Sequence, residues 1–138
     1  MGGDGNVELV RRAAEALDRG DVEATLEDWA DDAVLDWSRS HGLDARIFRG
    51  KDEIRRFMLR FREVFSGIDT ELLDPIEVDE GVVVVENLAH VRGRDGIEAQ
   101  ARSAWLITID EGRQTSLTLY QTKRDALKAA EALGRGTH

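Results

Sequence analysis

Hydrophobic residues in the first third of the chain recur at helical spacing. Val7, Val10, Ala13, Ala14 and Leu17 share one face of a helix that Asn6 would cap and Gly20 would end. Asp21 is placed to cap a second helix, whose stripe is Val22, Leu26 and Trp29. Asp31-Asp32 interrupts that pattern, and Ala33 to Trp37 then alternates as a short strand does. Residues 38–49 mix polar and apolar positions without period and read as a loop. The strongest helical signal starts at Gly50, where Ile54, Phe57, Met58, Phe61 and Phe65 follow one stripe while Arg55, Arg56, Arg60 and Arg62 take the other faces.

After Gly67 the period changes from that of a helix to that of a strand. Residues 68–78, 82–92, 97–109 and 114–121 predict four strands, separated by D-E-G, G-R-D-G and D-E-G-R, which carry hairpin-turn chemistry. Short turns imply antiparallel pairing of sequential strands. Pro75 has no amide hydrogen for a ladder, so its strand is expected at a sheet edge or bulged there. Thr122 with Asp125 reads as a capping pair for a last helix carrying Ala126, Leu127, Ala129, Ala130 and Leu133. Residues 1–5 are Gly-rich and expected to fray. The order α-α-β-α-β-β-β-β-α predicts an α+β fold, with helices on the concave face of a strongly bent antiparallel sheet. Such a bend leaves a cone-shaped cavity, the default place for a ligand.

At 138 residues the chain is expected to be one domain with a real core. Its 19 basic and 28 acidic side chains give a net charge of −9, which disfavours nucleic acid and anionic membranes as partners. No run approaches the length of a membrane-spanning helix, and the Met-Gly-Gly-Asp-Gly start lacks a signal segment, so the expected location is cytoplasmic. With no cysteine, disulfides, thiolate metal sites and cysteine nucleophiles are excluded.

The segments A-L-D-R-G-D (16–21), W-A-D-D-A-V (29–34) and F-R-G-K-D-E-I-R-R-F (48–57) resemble those of the nuclear-transport-factor-2-like superfamily. The nearer likeness is to its SnoaL-like branch, with polyketide cyclases and ketosteroid isomerases. It extends over roughly residues 7–133, and Y-Q-T-K-R-D-A-L-K-A-A (120–130) is similar to a frequent closing element of bacterial members. The resemblance implies a cystatin-like α+β barrel, a single SnoaL-like domain, a small-molecule ligand, no cofactor and, often, a homodimer. It also implies where an isomerase would carry its tyrosine, its carboxylate base and its neutral acid. Those positions fall on Ala13, on Trp37 with Asp36 one residue short, and on Ala104, so the isomerase set is absent.

Candidate chemistry is sparse. His41 with Asp36 or Asp44 forms an acid–base dyad at the cavity mouth, or is a solvated loop histidine. Alternation separates Val83, Val85, Asn87 and Ala89 from Glu86, Leu88 and His90, and the resemblance turns the Asn87 face inward. Asn87 is thus either a ligand hook or an amide satisfied by its neighbours. Arg102 shares a face with Gln100 and Ala104, and either binds a ligand oxygen or pairs with an outer carboxylate. Trp29, Trp37, Phe57 and Phe61, with Leu17, Val85 and Leu119, would form the apolar core and cavity wall, and Gln121 a further polar group. On this assignment Ala99, Ala101, Trp105, Ile107 and Ile109 face the convex side, where a second subunit would cover them. His41, His90 and His138 have no metal-ligand spacing, so no metal is expected. Two functions remain: a cofactor-independent isomerase, cyclase, dehydratase or hydrolase of a small, largely apolar substrate, or a non-catalytic ligand-binding or dimerisation module.

Overall fold

The computed structural model describes residues 2–40 and 45–136. The elements in chain order are α1 (Gly2–Arg19), α2 (Val22–Leu26), β1 (Trp29–Asp36), β2 (Ile47–Arg49), α3 (Lys51–Val64), β3 (Phe65–Asp79), β4 (Val82–Gly93), β5 (Glu98–Asp110), β6 (Arg113–Tyr120) and α4 (Lys123–Gly136). Six strands form one curled, unclosed sheet in the order β2-β1-β6-β5-β4-β3. The run β3-β4-β5-β6 is antiparallel, as its tight turns require. The β1–β6 pair is parallel, joined through everything between them in sequence.

Several local expectations hold for their stated reasons. Asp21 caps α2 by accepting from the Ala24 amide at 3.0 Å. The Asp125 amide donates to Thr122 Oγ1 at 3.1 Å at the start of α4. Pro75 lies on edge strand β3, where the register with β4 slips between Leu73 and Ile76.

Other expectations are corrected. The first helix begins at Gly2, not after Asn6, and Asn6 spends its side chain on Glu77 Oε2 at 3.0 Å. Trp29 opens β1 and does not close α2, because Asp31-Asp32 forms an exposed irregularity inside the strand and not a break before it. The segment 38–49 contains a strand. Phe48, buried between exposed Ile47 and Arg49, pairs with Leu35 and stacks on Phe57 at 4.5 Å. Three residues are too few to show a period.

The core divides into two layers. On the concave face Leu9, Val10, Leu26, Ile54 and Phe57 pack against Leu35, Val83, Val85, Trp105, Ile107 and Leu119. On the convex face Val84, Ala104 and Leu106 pack against Ala126 and Ala130 of α4. Thus α1, α2 and α3 fill the cone, while α4 lies on the other side of the sheet. The small residues Ala104, Ala126 and Ala130 let helix and sheet approach closely.

This corrects the assignment of faces on β5. Trp105, Ile107 and Ile109 belong to the concave core, so they are not a convex row awaiting a second subunit. Alternation separates the two faces of a strand but cannot say which is inside when helices cover both.

Candidate functional site

Between the concave sheet face and α1, α2 and α3 lies a cavity of about 560 Å³. Its deep end is closed by buried Val10, Thr25, Trp29, Ile107 and Gln114. Its mouth is bordered by half-buried Trp37, Phe61, Phe65, Ile68, Val91 and Gln121. An aromatic wall runs along one side: Trp37–Phe57 at 5.9 Å, Phe57–Phe61 at 6.2 Å and Phe61–Phe65 at 4.5 Å between ring centroids. The stripe of α3 supplies Phe57 and Phe61, as its spacing predicts, whereas Trp37 follows β1 and Phe65, expected on the helix, instead opens β3. Leu17 and Leu119 also line the cavity, whereas Val85 is buried in the core behind it.

The polar groups of the wall are amides, hydroxyls and indoles. Asn87 faces inward, 2% exposed, and its Nδ2 donates to Ser103 Oγ at 3.0 Å across the β4–β5 pair. Gln121 donates to the carbonyl of Arg39 at the mouth. Thr25 Oγ1 donates to the carbonyl of Asp21 at 2.8 Å. Trp29 Nε1, Trp105 Nε1 and Gln114 Nε2 are buried with no hydrogen-bond partner among the described residues. Arg102 borders the cavity, but its side chain is 60% exposed and turns to Glu86, 3.5 Å away on the convex face. Its cross-strand neighbours place it there: Asn87 opposes Ser103 inside, and Leu88 opposes Arg102 outside. The expected anion hook at Arg102 is therefore withdrawn. Among the described residues the wall carries no carboxylate, imidazole, ammonium or phenol.

The model of the SnoaL-like domain matches residues 10–117, most of the chain and nearly all of the cavity wall. The chain belongs to the SnoaL-like domain family. Comparison with curated proteins gives no match to this SnoaL-like protein. Solved structures do share its fold. An NTF2-like protein of unknown function from Burkholderia pseudomallei is 20% identical, with a TM-score of 0.73 over 90% of this chain and 95% of that one. An LEH-like epoxide hydrolase from Mycobacterium tuberculosis is 18% identical, with a TM-score of 0.70 over 91% and 88%. Rv0760c from Mycobacterium tuberculosis, solved in complex with estradiol-17beta-hemisuccinate, is 15% identical, with a TM-score of 0.74 over 86% and 94%. At such identities the likeness is one of fold alone.

Within this SnoaL-like domain the two residues singled out for acid–base work stand apart from the cavity. Leu35 and Trp37 line it, so Asp36 between them faces away. Burial alone would raise the Asp36 pKa, but hydrogen bonds from the Ser38 amide and hydroxyl and the nearby Arg39 outweigh it and hold the carboxyl below its ordinary value. Asp36 is therefore an ionised turn residue, not a general acid. His41 and Asp44 lie outside the described residues. Among the described residues no group of three or more metal-ligating side chains comes together.

The Ala13 and Trp37 positions line the cavity, as the landmarks implied, but Ala104 packs under α4 and not inside. The inward neighbours on that strand are Ser103 and Trp105.

Sequence reasoning missed Gln114, Ser103 and the inward aim of Trp105, whereas Trp29 lines the cavity as expected. For Gln114 no periodic signal existed. Between Gln114 and Leu117 the β6 strand bulges, with Thr115 Oγ1 on Thr108 at 2.6 Å, so both Gln114 and Leu117 face inward three residues apart. Asp18 is also close by. Burial raises its pKa, partly countered by the Thr70 amide, which donates to both carboxylate oxygens at 3.1 and 3.0 Å. Asp18 thus sits behind a wall residue and fastens α1 to β3.

Proposed function

We infer that the protein binds a small, predominantly apolar molecule inside the cone and holds it there without acid–base chemistry from the walls. The observation that carries this reading is the cavity of about 560 Å³ whose described wall is apolar and aromatic, with neutral amides and hydroxyls as its polar groups. That volume suits a compact ligand, and such walls favour burial of its body. Estradiol-17beta-hemisuccinate, reported with one fold relative, shares an apolar polycyclic body with such a ligand but adds a carboxylate arm. General acid–base catalysis needs a titratable group within hydrogen-bond reach of the reacting atom, and Asp36, between the wall residues Leu35 and Trp37, is turned away.

The test is a thermal-shift and calorimetric screen of neutral polycyclic and terpenoid compounds. A binder with one-to-one stoichiometry, displaced by Ala101→Trp at the mouth, is the expected result. Failure of every compound of this class to raise Tm, or binding untouched by the blocking substitution, would sink the reading.

A catalytic reading, as an isomerase, cyclase, dehydratase or hydrolase, is supported by one feature. Wall residue Ser40 immediately precedes His41 in sequence. Turnover of a bound compound that is abolished by His41→Ala would favour it over simple binding. Self-association through the convex face is an expectation that now rests on exposed Ile76, Val78 and Leu127, and light scattering measures it.

A further inference from the structure

Four buried side-chain atoms lack a hydrogen-bond partner among the described residues. One is Glu77 Oε1, away from the cavity. The other three are Trp29 Nε1, Trp105 Nε1 and Gln114 Nε2, and all three belong to cavity walls. Each is a donor. Indole nitrogen can only donate, and the carboxamide nitrogen likewise. A buried donor left unpaired is costly, so such groups in a folded protein point to a partner.

The three donors occupy two levels. Trp29 and Gln114 are direct partners across β1 and β6 at the deep end. Gln114 is 1% exposed and Trp29 2% exposed. Trp105 lies nearer the waist, opposite Leu119 and Val85, one inward step from Ser103. Ser103 accepts from Asn87, which leaves its own hydroxyl hydrogen to donate.

We propose that the cone selects a neutral ligand bearing carbonyl-type oxygens, one accepting from Trp29 and Gln114 at the deep end or one accepting from Trp105 and Ser103 at the waist. This rests on the reading of the cone as a ligand cavity. A hydrocarbon would bury the donors unpaired. A carboxylate would enter a wall whose one charged residue among the described residues, Arg102, holds its guanidinium outside against Glu86, so the anion would be buried without a described counter-ion. In this structure the three nitrogens are buried, so engagement turns the indoles or the carboxamide. The chain has three tryptophans, and all of them line the cavity, which makes their indole signals direct reporters of the site.

The test compares three probes of one shape: 2-acetylnaphthalene, 2-ethylnaphthalene and 2-naphthoate. Calorimetry on the unmodified protein is expected to show the ketone binding roughly threefold to tenfold tighter than the hydrocarbon, and the carboxylate weakest. In proton–nitrogen spectra the indole hydrogen of Trp29 or Trp105 is expected to move downfield with the ketone and not with the hydrocarbon. Gln114→Leu removes a deep donor and Trp105→Phe a waist donor, and the one at the level the carbonyl occupies should reduce the ketone preference while leaving the hydrocarbon bound. A ketone preference of one or less, or a preference unchanged in both variants, overturns the proposal while leaving the ligand cavity standing. If no neutral probe binds at all, the cavity reading fails and this proposal falls with it.

Discussion

Substituting Ala13 tests whether the space inside the cone is real and whether ligand uses it. Ala13 sits on α1 with its side chain at the cavity wall, and the surrounding stripe of Val10, Ala14 and Leu17 is apolar. Ala13→Leu adds three carbon atoms into that space. At about 0.8 kcal/mol per buried methylene this contributes roughly 2.4 kcal/mol. Ordering the longer side chain offsets about 0.5–1 kcal/mol, and the helix-propensity difference a few tenths. The net expectation is a gain of about 1–1.5 kcal/mol in stability, or roughly 3–6 °C in Tm. The same atoms remove room for ligand. Crowding of the kind that costs about 1–3 kcal/mol in packed cores would weaken binding of 2-acetylnaphthalene roughly fivefold to a hundredfold. Guanidinium unfolding at constant m-value measures the first quantity and calorimetry the second. The opposite signs are the decisive feature. A loss of stability would mean that Ala13 is already tightly packed and the cavity does not extend there. Unchanged affinity would mean that ligand does not occupy the α1 side of the cone.

Further outcomes follow from the same geometry. Arg102→Ala should leave probe affinity within about twofold and stability within about 0.5 kcal/mol, since the arginine end of its pair with Glu86 is solvent-exposed; a larger loss of affinity in calorimetry would return the arginine to the site. Gly81→Ala should destabilise more than Gly112→Ala in urea unfolding. Both glycines have positive φ (73° and 76°), worth about 1–2 kcal/mol for a side chain, but only at Gly81 would a Cβ fall against a backbone oxygen, that of Ile109. Equal costs would refute the clash. Asp18 has a folded-state pKa raised above 3.8, so the native state binds its proton more tightly than the unfolded chain does. Its contribution is greatest below pH 3.8 and declines as pH rises through that value towards the folded pKa. The stability of the unmodified protein relative to Asp18→Asn should therefore fall over that interval, and a rise in paired urea titrations would contradict the assignment.

Much of the architecture was written in local patterns. The α3 stripe, the hairpin turns, the Asp21 and Thr122 caps and the edge position of Pro75 each follow from short-range sterics and hydrogen bonding, which adjacent residues carry by themselves. So does the inward aim of Asn87 once the family landmarks orient β4. The site was less legible, because its residues depend on which side of a strand is enclosed. On β5 both faces are apolar around Ala104–Ile107, one packed by α4 and the other by the cone, and alternation is blind to that choice. Arg102 went outside and Trp105 inside for this reason. Bulges in β1 and β6 then reset the alternation, bringing Trp29 and Gln114 together across a parallel pair that no neighbouring residues could specify. The sequence by itself determined most of the helices and the four long strands, because that choice is largely local, but not the three-residue β2 or the start of β1 at Trp29. Only the tertiary structure decided which side chains meet in the cone, because the facing of a strand is fixed by what packs against it from far along the chain.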